Sequence, residues 1–131
     1  NADYLSNHSL SLHPRLGIHA ANIAPEFGVV ETRAFIEILK KFNKTKLLEE
    51  FYEISYNSNK WKKWLVPNSN ADKVQKAIIS GHYIFSNKKF EILKKKVQLF
   101  LLKKNINLNN HLQKSIYCSI HRYAKNFNLI K

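Results

Sequence analysis

Cysteine, glycine, proline and arginine are all scarce in this sequence, and each shortage closes off a class of protein. The one cysteine, Cys118, excludes an internal disulfide framework and a cysteine-based zinc site, and it fits a reducing compartment. It sits on a helical spacing in Ser115-Ile116-Tyr117-Cys118-Ser119-Ile120, which reads as core packing rather than as a nucleophile. Three Gly and three Pro in 131 residues leave little turn chemistry, so helices are expected to dominate. No apolar run approaches the roughly 18 residues of a membrane span. The longest cluster, Val97 to Leu102, contains Gln98 and is bracketed by lysines. No stretch reads as a signal peptide. A cytoplasmic protein with no membrane partner is expected.

Acidic residues are also few. Nine Asp and Glu stand against 22 Lys and Arg, for a formal net charge of +13. Such a surplus invites a nucleic-acid reading. Yet arginine, the residue suited to planar phosphate and base recognition, occurs only as Arg15, Arg33 and Arg122. The remaining basic residues are lysine, alongside 15 asparagines. That combination reads as a solvated surface encoded by AT-rich codons, and no specific nucleic-acid partner is expected. Lys60-Trp61-Lys62-Lys63-Trp64 interleaves aromatic and basic residues as a single-strand platform does. Two tryptophans anchoring a short helix account for it better.

A hydrophobic fraction of 44% with 12% aromatics marks a globular chain. Its length suits one domain with its own core, and is too short for a closed (β/α)8 barrel of about 200 residues or more. Arg15-Leu16-Gly17-Ile18-His19-Ala20-Ala21 reads as a buried strand. Pro25-Glu26 opens a helix, with Phe27, Val30, Ala34, Ile38 and Phe42 on one face. Gly28 costs that helix about 1 kcal/mol relative to Ala, which points to close approach by a strand or ligand. Further helices are expected after caps at Thr45, Asn70 and Asn87, with Trp61 and Trp64 sharing a face of a short one. A last helix runs from about Asn109, with Leu112, Ile116, Ile120, Tyr123 and Phe127 inward. A lone strand needs a sheet supplied from elsewhere, and the chain opens inside what reads as a loop, so a fragment is expected.

The chemistry-bearing stretch is Gly17 to Gly28. It reads as a strand ending in polar residues and passing directly into a helix N-terminus, the usual ligand position in parallel α/β proteins. His19, Asn22 and Glu26 would cluster there. Backbone N–H groups near Pro25–Gly28 would receive a phosphate or hydroxyl. The alternative for each is structural: His19 packs, Asn22 caps, and Glu26 complements the helix dipole. Asp3 and Tyr4 form a second candidate pair, a loop Asp and a buried Tyr if structural. The histidines have no acidic partners at metal-ligand spacing, so no metal and no cofactor are expected in this chain.

Asn1-Ala2-Asp3-Tyr4-Leu5-Ser6, Leu12-His13-Pro14-Arg15-Leu16-Gly17-Ile18 and the helix opening at Pro25 resemble the seventh and eighth strands of the non-catalytic subunit of class II tagatose-bisphosphate aldolase. Asp3-Tyr4 matches that family's Asp-Tyr pair, and Asn59-Lys60-Trp61-Lys62-Lys63-Trp64 resembles its Trp-Lys-Lys segment. Ser80-Gly81-His82-Tyr83 and Tyr123 fall near its later aromatic positions. The chain departs from the pattern at His19, where the family carries Lys, and at Ala21-Asn22, in place of Gly-Pro. Glu31 and Arg33 lie near the family's Arg-Glu pair in the opposite order. The resemblance implies a mostly α chain. Residues 1–43 would end a TIM-type barrel as the loop after strand 7, strand 8 and helix 8, and residues 44–131 would form an α-helical extension. It implies an accessory subunit that supports a class II aldolase catalytic subunit and meets a sugar-phosphate ligand through Asp3, Tyr4, His19, Asn22 and Glu26. A parent that is itself a sugar-phosphate epimerase or aldolase is the alternative, and a small basic nucleic-acid-binding module the second.

Overall fold

Asparagine does at the helix ends of this chain what glycine does in most proteins. A computed structural model describes residues 1–131 as six α-helices with no strand. The helices are α1 (Asn7–Arg15), α2 (Pro25–Lys41), α3 (Thr45–Asn57), α4 (Lys73–Ser80), α5 (Lys88–Leu102) and α6 (Leu108–Asn126). Two 3-10 turns, Lys60–Lys63 and Gly81–Ile84, flank α4. Asn43 and Asn128 follow α2 and α6 in the left-handed conformation, at φ 51° and 58°. Each is followed by a residue whose N–H reaches back five positions, Lys44 to Leu39 and Leu129 to Ala124. That pairing satisfies carbonyls the helix leaves free. Asn87 and Asn107 cap the starts of α5 and α6 through their side chains. Asp72 caps α4 in a reciprocal pair with Gln75.

The expected strand is absent, and the reason is a helix stop. Ser6 starts α1 by accepting from Ser9 N. The helix runs through Pro14 to Arg15 and ends on Gly17 at φ +69°. Ile18 N donates to His13 O at 3.0 Å and Gly17 N to Pro14 O at 3.2 Å, the two bonds of a Schellman ending. Arg15, Leu16 and Gly17 are therefore consumed in closing α1. The following Ile18–Ala24 has no regular structure, and Leu16 to Asn22 are exposed. The mostly helical character is as expected, and the buried strand is not found.

α2 is the hub. Its apolar side is wider than the five-residue stripe expected: Ala34, Phe35, Ile36, Ile38 and Leu39 are all buried. Phe35 lies 5.2 Å from Phe51 of α3 and 5.3 Å from Phe90 of α5, ring centre to ring centre, and Phe85 stacks on Phe90 at 4.4 Å. Leu93, Val97, Leu101, Leu108 and Leu112 complete one core. It spans both sides of the boundary expected at residue 43. A smaller cluster of Ala2, Leu10 and Tyr123 joins the N-terminal segment to α6.

Four smaller expectations change. Lys44, not Thr45, precedes α3, and no side chain caps it. Asp72 rather than Asn70 starts α4. Cys118 is exposed, not buried. Trp61 and Trp64 do not share a packing surface: Trp61 stacks on Tyr56 at 5.7 Å and Trp64 on Tyr83 at 6.2 Å.

Gly28 and Gly81 explain how α2 and the turn Gly81–Ile84 come so close. A Cβ on Gly28 would meet the His82 side chain at 2.5–2.9 Å. One on Gly81 would run into the Thr32 side chain. The two glycines thus interlock with residues on the opposite element, and Thr32 Oγ1 settles by donating to Gly28 O at 2.8 Å. Gly28 serves close approach, as its place in a helix implied, but the approaching group is a histidine ring. Gly81→Ala is expected to cost about 1–3 kcal/mol in urea unfolding, as overpacking does. Adding Thr32→Ala should recover part of that loss, and a double-mutant cycle without coupling would refute the interlock.

Candidate functional site

The N-terminus of α2 has no capping side chain of its own, because the residue before Pro25 is Ala24. The cap comes from a distant segment. Asp3 Oδ1 accepts from Glu26 N at 2.8 Å and Ala24 N at 3.2 Å, placing a carboxylate at the positive end of the helix. Ala2 N donates to Asn22 O at 2.9 Å. The first residues are thereby laid along the entry to α2.

Glu26 fixes them from the other side. Its side chain is 12% exposed and pairs with Arg122 Nη1 of α6 at 3.0 Å. The same carboxylate accepts from Tyr4 N and from the Tyr123 hydroxyl. Arg122 also donates through Nη2 to Leu5 O and through Nε to Asn7 Oδ1 at 2.8 Å. Every charged oxygen and most guanidinium protons of the pair are matched, which is what a buried ion pair requires. Burial, then the hydrogen bond to Glu26, pushes the Tyr123 phenol up from 10.0 to about 12.

Tyr4 sits at φ 63°, an unusual state for a bulky residue that persists only where the surroundings impose it. Here the bond from its N–H to Glu26 and the Asp3 cap impose it. The Tyr4 ring is left 61% exposed at the edge of a cavity of about 420 Å³, lined also by Asp3, Pro25, Trp64, His82 and Tyr83. Burial, followed by the Asp3 and Glu26 charges, raises the Tyr4 pKa. His82 Nδ1 is buried and has no hydrogen-bond partner. Burial lowers the His82 pKa, which favours the neutral ring, able to donate or accept. A second hollow of about 550 Å³ beyond Ile79 carries Arg33, exposed and free of any ion pair.

Of the five expected site residues, Asp3, Tyr4 and Glu26 come together. Glu26 does more than complement the helix dipole, since it ties α2 to α6. Asn22 is exposed and enters only through its backbone carbonyl. His19 is exposed and lines a separate apolar groove of about 590 Å³ with Ile23, Phe27 and Phe127. The expected His19–Asn22–Glu26 cluster depended on a strand to alternate their side chains, and without the strand they diverge. Reading the sequence for chemistry passes over Arg122 at this site, and reaches Trp64, His82 and Tyr83 only through the resemblance and a stacking pattern assigned to packing. The one local signal was Gly81 beside His82, which marks a close approach.

No group of three His, Cys, Asp or Glu side chains gathers in a way that would hold a metal ion. No helix is long and apolar enough to cross a membrane. No protein-family model, no curated protein and no solved structure matches the chain.

Glu26→Ala should lower stability by about 2–3 kcal/mol, because Arg122 loses its counter-charge but keeps some water contact. Hydrogen exchange at Tyr4 should rise with it, and unchanged protection there would refute the clasp. The raised Tyr123 pKa sets a second outcome. A neutral phenol is favoured in the folded state, so this stabilisation is complete below pH 10 and is lost as pH rises through about 12. Tyr123→Phe should show a shallower alkaline fall in melting temperature than the parent chain, and a parallel fall would contradict the assignment.

Proposed function

We propose that the chain is the C-terminal part of an accessory subunit resembling the non-catalytic subunit of class II tagatose-bisphosphate aldolase. In this role it supports the activity and stability of a catalytic subunit in cytoplasmic sugar-phosphate breakdown. Convergence is the observation that carries the reading. The resemblance rests on short motifs far apart in the sequence: Asp3-Tyr4, the helix opening at Pro25, the Trp-Lys-Lys stretch ending at Trp64, and Ser80-Gly81-His82-Tyr83. Each contributes a residue to the wall of the same 420 Å³ cavity. Tyr123, the last of the resembling positions, hydrogen-bonds Glu26.

The chemistry of the cavity suits binding better than bond cleavage. Asp3 Oδ1 is committed to the α2 cap, and Glu26 is saturated by Arg122, Tyr123 and Tyr4. Neither carboxylate is left as an unengaged base. His82, Tyr4 and the Asp3 carboxylate edge offer hydrogen bonds to sugar hydroxyls, Trp64 and Tyr83 offer apolar ring faces, and Arg33 lies in the adjoining hollow as a phosphate partner.

The test is reconstitution. The protein is mixed with a class II aldolase catalytic subunit, and cleavage of tagatose 1,6-bisphosphate and its decay on incubation are followed. Higher activity or a longer half-life is expected, with the gain reduced about tenfold or more by Tyr83→Ala combined with His82→Ala, as loss of a positioned polar contact implies. No effect on the catalytic subunit would remove the accessory reading. Turnover by the protein alone would favour the enzyme alternative.

A further inference from the structure

We infer that the outer face of α5 is a docking surface for an anionic lipid bilayer. Helix α5 turns Phe90, Leu93, Val97 and Leu101 into the core. At 100° per residue, Lys88, Ile92, Lys95, Leu99, Leu102 and Lys103 lie on the side turned away from the core, flanked by Lys89 and Lys96. All eight are exposed, with Ile92 at 57%, Leu99 at 64% and Leu102 at 50%. Glu91, also exposed, lies on the same side and is its one acidic residue. Lys96 pairs with Glu50 of α3, and the other four lysines have no ion pair. Scattered exposed aliphatics need no explanation. Three in one stripe among five lysines and a single glutamate do, since water solvates the charged groups at no cost and the aliphatics at some cost.

The composition of the face selects the occupant. Lysine is a compact point charge without the planar fork by which arginine reads a carboxylate or phosphate. The face has no aromatic ring on which a base would stack, and no polar side chain to set a register with a protein groove. Ammonium groups around aliphatic side chains match a laterally uniform anionic surface, with Ile92, Leu99 and Leu102 entering the headgroup boundary and the lysines above it. The helix lies on the bilayer and does not span it. This departs from the expectation of no membrane partner, which rested on the lack of a span.

Vesicle flotation at physiological ionic strength tests the assignment, with phosphatidylcholine vesicles that either contain or lack phosphatidylserine. Partition should require phosphatidylserine. It should fall more than about tenfold in Lys88→Glu with Lys95→Glu, and by a similar factor in Ile92→Ser with Leu99→Ser. Lys60→Glu with Lys62→Glu changes net charge equally at a distant turn and should alter partition by less than about twofold. Thermal unfolding is followed for each variant, and Leu99→Ser alone replaces the serine pair if the pair lowers the melting temperature. Three results would overturn the inference: no partition at physiological salt, an equal loss in the distant control, or no loss on removing the aliphatics.

Discussion

Glu26 stands where three pieces of chain meet, and the N-terminal part of the molecule takes its shape from that carboxylate. It belongs to the first turn of α2, yet its partners are Tyr4, Arg122 and Tyr123. A carboxylate removed from water costs several kcal/mol unless its lone pairs are matched. Matching them here fixes the first six residues, the start of α2 and the end of α6 in one arrangement. The consequence runs outward. Because Tyr4 N is held, its ring has one place to go, the rim of the cavity. Because Arg122 is held, Leu5 and Asn7 are anchored through the same guanidinium.

The sequence carried the helices clearly, because their signals are local. Apolar residues at spacings of three and four in Phe90-Leu93-Val97-Leu101, with Asn87 ahead of them, state both the helix and its buried face. The same logic misread Arg15–Ala21. An apolar run containing Gly fits a buried strand and also a helix end, and periodicity cannot separate them. Gly17 in the left-handed region decided for the helix end. Cys118 and Ile120 misled for a related reason. They lie beyond the stripe α6 buries, and the last turns of that helix meet only the small cluster around Tyr123.

The site was legible in part, for a reason of distance along the chain. Asp3 and Glu26 announce themselves beside a turn and a helix start. Arg122 is 96 residues from Glu26, and nothing local reveals such a partner. His82 and Tyr83 have bland readings as surface aromatics until α2 is placed against them. The glycines made that placement possible: Gly28 and Gly81 remove two side chains at the contact, and His82 and Thr32 fill the space. A sequence states where a backbone can come close, and the fold states what comes close to it.

The clasp also divides the molecule by folding order. Ala2 and Leu5 reach Tyr123 and Arg122 across nearly the whole chain, so these contacts close the longest loop in the structure, and its entropy must be met before they give anything back. The core around Phe35, Phe51 and Phe90 contains none of residues 1–10 and is built over shorter separations. That difference in separation predicts a helical core that forms before the N-terminal segment docks, and a segment that leaves first on warming. Asp3 and Tyr4 go with it. The cavity then loses one wall while the other, Trp64, His82 and Tyr83, stays on its frame, so the site is a late-assembled joint between two parts of unequal stability.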